Sequence, residues 1–378
     1  MQRMKRCLRR RSSGKVCPED LPDLEEKPGE PTARSNPGTP EVFSAQSTPA
    51  STPVDGNRNP SFLFGGGLVP ISFDHKPEVE EGFISISQLY NSMNDGQLSP
   101  YLYDPMYMLI IDTRCKEDYL SQHINTAIHV SELDYVMSRE NLADFTMIIL
   151  YDNKGLSHSL KDSTLSSIYD VMHEKKLDPF ILVGGFDRFQ ARHPYLCSST
   201  IARTERQRQL LIKNYPSIIL EDQLFLGRGD QATNWTVVSN LGITHVVNIT
   251  REHPDAFPDK LKYLRVELDD DNSSNLLRQL PNCTEFITDS INSGGKVLVH
   301  CNLGVSRSST VTIAYLMHSR KWILRDAHDF IKDRRPIIRP NHGFVNQLSR
   351  FEEMVFGKKY TDVDRLFDIC IETDSYGH

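Results

Sequence analysis

The sequence contains no run of about 18 consecutive apolar residues, the length a bilayer-spanning helix needs. No apolar signal-peptide core follows its first charged residues. No membrane span is therefore expected. Paired-cysteine motifs are also missing. The seven cysteines (Cys7, Cys17, Cys115, Cys197, Cys283, Cys301 and Cys370) are odd in number, widely scattered, and form no CxxC. That pattern argues against a zinc ribbon or a disulfide scaffold, and it suits free thiols in a reducing compartment. Basic charge is not in excess: 43 Lys and Arg stand against 50 Asp and Glu, a formal net charge of −7. Nucleic acid is thus not an expected partner, and any site for a polyanion must be local.

Apolar periodicity is scarce before Phe62, where the chain is rich in Pro, Ser, Thr, Gly and charge. Residues 1–80 are read as a disordered tail. Its opening, "MQRMKRCLRRRSSGK", is basic without an acid. It reads as a solvated tail or, more sharply, as a nuclear-localisation or kinase-docking segment; a mitochondrial presequence is disfavoured by the lack of an apolar face. The expected location is cytoplasmic, with a nuclear alternative. Three Thr-Pro pairs, at Thr39, Thr48 and Thr52, fit the acceptor pattern of a proline-directed kinase.

Two α/β domains follow. In the first, 81–200, apolar runs at 106–114, 146–152 and 179–185 read as strands separated by helical patterns. A charged, exposed linker is expected over 201–213. In the second domain, 214–359, the strands are 244–250, 262–268 and 296–300, with helical patterns at 276–293, 306–320, 324–334 and 341–356. Alternating strands and helices imply parallel sheets flanked by helices. Residues 360–378 read as an acidic polar tail.

One stretch carries chemistry: "KVLVHCNLGVSRSST", 296–310. Val297, Leu298 and Val299 read as a buried strand. From Ser306 onward a helix is expected, with Val311, Ile313, Ala314, Tyr315 and Leu316 on its apolar face. Cys301 then sits where a strand turns into a helix, and there unpaired backbone N–H groups favour negative charge. The intervening Asn302, Leu303, Gly304, Val305 and Ser306 can curl so that their N–H groups converge on one anion, and Gly304 tolerates the left-handed backbone this needs. Arg307 offers a planar fork for two oxygens of a phosphoryl group. The same field favours the thiolate of Cys301 as a nucleophile. The plain alternative is a small buried cysteine with no reactivity.

"HCNLGVSRS", 300–308, resembles the His-Cys-x5-Arg-Ser signature of cysteine-dependent protein tyrosine phosphatases, in the dual-specificity branch. "LFLGRGDQAT" (224–233) is similar to that family's entry strand, and "RRPIIRPNHGFVNQL" (334–348) to the segment packed behind its phosphate loop. The resemblance implies hydrolysis of phosphate monoesters through a phosphocysteine, with neither metal nor cofactor. Cys301 would be the nucleophile and Arg307 the phosphate fork. His300 would order the loop without acting as a base. Ser308 would ease thiolate departure, or simply hydrogen-bond the loop backbone as an early helix residue. The family takes its general acid from an aspartate five residues before an asparagine and a leucine. In "VELDDDNSSNLL" that count gives Asp270, with Asp269 and Asp271 as alternatives one register away.

The stretches "LIIDTRCKEDYLSQHINTAIHV" (109–130) and "ILVGGFDRFQARHPYLC" (181–197) resemble the rhodanese-like domain of mitogen-activated protein kinase phosphatases and of the serine/threonine/tyrosine-interacting-like pseudophosphatases. Where an active sulfurtransferase carries cysteine, this chain has "YDNKG" (151–155), and Cys115 lies on an earlier strand end, so the domain is expected to be non-catalytic. A kinase-docking arginine cluster is also missing: "SELDYVMSREN" holds one arginine, Arg139, among acids. The partner implied is a phosphoprotein substrate, with docking of a MAP kinase left open.

Two functions remain. The first is an active dual-specificity phosphatase; the second is a weakly active or pseudophosphatase-like interaction protein. A phosphoinositide or RNA phosphatase is disfavoured because Asn302, Leu303, Val305 and Ser306 are all uncharged. A tyrosine-only enzyme is disfavoured because no upstream segment that would deepen the pocket is evident.

Overall fold

Strands buried on both faces of a parallel sheet need continuous apolar runs, and this chain supplies several, among them Met108–Asp112, Met147–Tyr151 and Val297–Cys301. The computed structural model describes residues 68–73, 78–96, 100–104, 106–155 and 163–366. All of them belong to one unit, Phe64–His378. The basic cluster, the three Thr-Pro pairs, Cys7, Cys17 and Cys370 lie outside the described residues.

The first domain carries β1 (Phe83–Ile84), β2 (Met108–Asp112), β3 (His123–Ile124), β4 (Ile128–His129), β5 (Met147–Tyr151), β6 (Phe180–Leu182) and β7 (Cys197–Ser198). Its main sheet runs β1-β6-β5-β2-β4, every pairing parallel, while β3 and β7 form a small antiparallel pair. One polar group is pinned in this core. The buried Asp112 receives Arg114 through Nε (3.0 Å) and Nη2 (2.7 Å), and Tyr151 OH at 2.7 Å. A buried carboxylate is tolerable only when paired in this way.

The second domain carries β8 (Ser217–Leu220), β9 (Leu224–Arg228), β10 (His245–Asn248), β11 (Lys262–Arg265) and β12 (Val297–Cys301). The sheet order is β11-β10-β12-β9-β8, parallel except for the outermost strand, β8. Cys301 therefore stands at the carboxyl end of the central strand, where open α/β sheets place their ligands. The helices Leu280–Asn292, Arg307–Arg320, Leu324–Arg334 and His342–Phe356 fall within or close to the stretches expected for them.

Four segments depart from the sequence reading. Residues 68–73 were read as part of a disordered tail, yet the Phe73 ring packs edge-on against Trp322 and Phe330, and Ile71 N donates to Lys321 O (2.8 Å). The stretch taken as an exposed linker contains a helix, Glu205–Leu211. It is opened by a capping box in which Thr204 Oγ1 accepts from Gln207 N (3.2 Å) and Gln207 Oε1 accepts from Thr204 N (3.0 Å). Strand β8 was not read at all; four residues at a sheet edge give little periodicity. The acidic tail was placed from 360, yet its first residues belong to the fold. The buried Glu352 accepts from Leu324 N (2.8 Å), Tyr360 N (2.9 Å), Thr361 N (3.0 Å) and Thr361 Oγ1 (2.9 Å). Four donors satisfy a carboxylate that water cannot reach.

The two domains share a core. Helix Ile86–Met93 is started by a Ser85–Gln88 capping box and buries Leu89, Tyr90 and Met93, each worth roughly 1.5–3 kcal/mol of burial. These side chains belong to the same apolar cluster as Tyr215, Ile218, Phe225 and Leu298 of the second domain.

Candidate active site

The loop after β12 has the curl its composition suggests. Gly304 takes φ +68°, and a Cβ there would lie 2.6 Å from Gly227 O, so both backbone and space demand glycine. This conformation turns Gly304 N–H onto Cys301 Sγ at 3.2 Å. Ser308, buried in the first turn of the helix Arg307–Arg320, donates its hydroxyl to the same sulfur at 3.2 Å. Two donors thus converge on Cys301 Sγ.

The remaining loop residues are tied to their surroundings. Asn302 O accepts from Gly229 N (3.1 Å), and its side-chain Oδ1 lies 3.0 Å from His253 Nε2. Val305 O accepts from Arg339 N (2.9 Å). Leu303 is left exposed at the rim. His300 is buried behind the sulfur, and burial pushes its pKa down to about 4 despite the opposing Cys301 carbonyl, 3.4 Å from Nδ1. At neutral pH the ring is uncharged, which fits an ordering role.

Arg307 is buried, and its terminal nitrogens are occupied. Nη1 donates to Leu268 O (2.9 Å) and Glu252 Oε2 (3.2 Å), and Nη2 donates to Glu252 Oε1 (3.3 Å). Burial raises the Glu252 carboxyl, but its bonds from Arg307 prevail and hold it below the ordinary value. Arg307 Nε is left buried without a hydrogen-bond partner; the nearest carboxylate oxygen, Asp270 Oδ2, lies 3.6 Å away.

The three aspartates separate cleanly. Asp270 reaches the loop: its Oδ1 accepts from Ser306 Oγ (2.6 Å) and Asn341 Nδ2 (2.9 Å). Asp269 turns away to pair with Arg251 (3.0 Å). Asp271 caps its own turn through Ser273 and Ser274, whose bonds hold its pKa below the ordinary value. The acid-bearing loop is stapled to the helix His342–Phe356, with Gln347 donating to Ser274 O (2.7 Å) and accepting from Leu277 N (2.7 Å).

Sequence reasoning missed three neighbours. Glu252 follows β10 at the ligand-bearing end of the sheet, and that position is the signal that would have found it. Asn341 was visible as a helix N-cap; besides capping Phe344 N (2.9 Å), it donates to Asp270. Arg335 stood beside Arg334 in sequence, and only packing separates them. Arg335 is buried and donates from Nε to Gly304 O (2.9 Å), whereas Arg334 stacks on Phe330 and pairs with Glu78.

In the first domain the loop after β5 carries Asp152 where a sulfurtransferase would need a thiol. Its Oδ1 accepts from Lys154 N (2.9 Å) and from Gly155 N. Cys115 is exposed, at the start of the helix Lys116–Ser121. Cys115, Cys197, Cys283 and Cys301 are free thiols. Among the described residues, no group of three His, Cys, Asp or Glu is placed to hold a metal, and no helix is long and apolar enough to cross a membrane.

Comparison with known proteins agrees with this architecture. Residues 224–354 match the family "Dual specificity phosphatase, catalytic domain", and residues 85–192 match the "Rhodanese-like domain" family. The chain thus carries a match to the dual-specificity phosphatase catalytic domain, preceded by a match to the rhodanese-like domain. It is 38% identical over 184 residues to a probable rhodanese domain-containing dual specificity protein phosphatase of Dictyostelium discoideum, which covers 48% of this chain and 39% of that one. It is 35% identical over 199 residues to dual specificity protein phosphatase 2 of Homo sapiens, covering 49% and 63%. The chain thus spans only part of the length of either relative. Among solved structures, the human tyrosine phosphatase-like serine/threonine/tyrosine-interacting protein is 36% identical, covering 38% of this chain and 98% of that one with a TM-score of 0.36.

Proposed function

We propose that the chain hydrolyses phosphotyrosine and phosphoserine or phosphothreonine in protein substrates through a phosphocysteine intermediate. The observation that carries this reading is the buried Arg307 Nε–H, which has no hydrogen-bond partner and only a carboxylate oxygen of Asp270 at 3.6 Å, six residues after a sulfur that already accepts two hydrogen bonds. A buried unmet donor costs about 1–3 kcal/mol, and a phosphoryl oxygen seated in the loop would satisfy it.

Cys301 Sγ attacks phosphorus, the P–O bond to the substrate breaks, and Asp270 gives its proton to the departing oxygen. Water then attacks the phosphocysteine and Asp270 takes a proton from it. The S–P bond breaks with its electrons returning to sulfur, where the Ser308 hydroxyl stabilises them. The other loop residues, His300, Asn302, Leu303, Gly304, Val305 and Ser306, shape the phosphate cradle. We take the catalytic domain as 214–359 and the non-catalytic rhodanese-like domain as 81–200. Phosphoproteins are the substrate class, and a MAP kinase is one candidate within it.

The test is turnover of an aryl phosphate, then of phosphotyrosine and phosphothreonine peptides, by the purified chain. Release of phosphate from both peptide types, lost in Cys301→Ser, is the expected result. Binding of phosphopeptides without turnover would replace this reading by an interaction protein.

A further inference from the structure

Strand β8 is the outer edge of the second sheet, and an edge strand leaves every second backbone group unpaired. Here the rhodanese-like domain fills that need with a side chain. Asn91 accepts from Ile218 N (2.8 Å) and donates to Ile218 O (3.0 Å), standing where a further strand would pair. Asn94 Oδ1 accepts from Tyr215 N (3.0 Å), and Tyr90 OH donates to Pro216 O (2.9 Å). The backbone of 215–218 is therefore held from the other domain at four points. From that backbone the buried Ser217 Oγ accepts from Arg335 Nη1 (3.0 Å). Arg335 in turn donates from Nε to Gly304 O (2.9 Å) and from Nη2 to Leu303 O (3.4 Å), both carbonyls of the phosphate loop. Its charge is opposed from the same side. Burial pushes Arg335 down to about 10, and Asp95, two residues past the helix that carries Asn91, is the leading group pulling the other way.

We propose that Asn91 of the rhodanese-like domain is a positioning residue for the phosphate loop, acting through Ser217 and Arg335 on the carbonyls of Leu303 and Gly304. The proposal rests on the phosphatase reading for its consequence, but its test is phosphate binding, which needs no turnover. The domain without its own chemistry is then a working part of the neighbouring site.

The full chain is compared with Asn91→Ala, Ser217→Ala and the double variant, measuring binding of inorganic phosphate by calorimetry together with thermal unfolding. Each single change is expected to weaken phosphate binding by ~3–10-fold, the range a lost buried hydrogen bond produces. The double variant should lose no more than the worse single one, because both act on one relay. Leu165→Ala, in a buried cluster of the first domain that contains no residue of the second, controls for stability alone. It should lower the melting temperature and leave phosphate binding unchanged.

Phosphate affinity unchanged in Asn91→Ala, additive losses in the double variant, or an equal loss in Leu165→Ala would each overturn the proposal. If Asn91→Ala does not fold, Asn91→Asp keeps the acceptor for Ile218 N, turns the bond to Ile218 O into an oxygen–oxygen repulsion, and carries the same comparison. A wild-type chain that binds phosphate but turns nothing over sinks the catalytic reading and leaves this one standing. Unchanged binding in the variants sinks this one alone.

Discussion

The two domains each end a buried parallel strand in the same local device and put opposite chemistry into it. After β12, Cys301 is followed three residues later by Gly304 at φ +68°, whose N–H turns back onto the sulfur at 3.2 Å. After β5, Asp152 is followed three residues later by Gly155 at φ +70°, whose N–H turns back onto the carboxylate. In both places the glycine has no room for a Cβ: one would lie 2.6 Å from Gly227 O, the other 2.5 Å from Leu182 O. The backbone that gathers N–H groups is thus common to both. In the first domain a fixed carboxylate already consumes the donors. In the second a polarisable sulfur accepts donors from Gly304 N and Ser308 Oγ. The two turns differ in the side chain at their first position, a carboxylate in one and a thiol in the other.

That comparison can be broken most severely at its reactive end. Cys301→Ser keeps the loop geometry and removes the nucleophile, so turnover of an aryl phosphate should fall by on the order of 10⁴-fold or more. Activity near wild type, in protein freed of contaminating phosphatases, would remove Cys301 from the mechanism. Next comes Asp270→Asn. Phenyl phosphates of graded leaving-group pKa should show a loss of ~10²–10⁴-fold for the poorest leaving groups and little for the best. Asp269→Asn and Asp271→Asn should leave that dependence flat, since one side chain pairs with Arg251 and the other caps its own turn. A steepened slope in either would move the proton donor. Arg307→Lys follows, at about 10²–10³-fold, because a point charge cannot present the planar fork.

Stability offers a smaller, matched test with one histidine in each domain. Burial pushes both His193 and His300 down from 6.5 to about 4. Between those values the unfolded chain binds a proton that the folded chain does not, so stability falls as pH drops from about 6.5 to 4. Each ring contributes roughly 2–4 kcal/mol to that fall. Thermal unfolding across the window should show a shallower decline for His193→Asn and for His300→Asn than for wild type. Parallel slopes would mean that neither ring is held neutral by the fold. The smallest effect is a null. The Cys301→Ser chain should transfer no sulfur from thiosulfate to cyanide, because Asp152 offers no thiolate; thiocyanate formation abolished by mutating Cys115 would reverse that view.

The central strands and the phosphate loop were legible because their signals are local. Val297, Leu298 and Val299 are apolar on both faces, and Cys301 to Ser308 lie within one turn of chain. Which of the three adjacent aspartates meets the loop was legible only to within one register, since Asp270 is held there by Ser306 and by Asn341, the latter 71 residues away. Glu252, Arg335 and the contacts of Asn91 were not legible. Each acts on a partner far off in sequence, and an asparagine that mimics a strand looks like any polar residue on a helix.

The covering of β8 has a consequence for handling the molecule. A chain cut within the helix Glu205–Leu211, as a sequence-based boundary would invite, loses the asparagine that closes the sheet and uncovers Ile218, which packs in the shared core. Such a fragment presents a bare strand able to pair with another copy of itself. It is expected to precipitate or form strand-swapped oligomers at concentrations where the longer chain stays monodisperse.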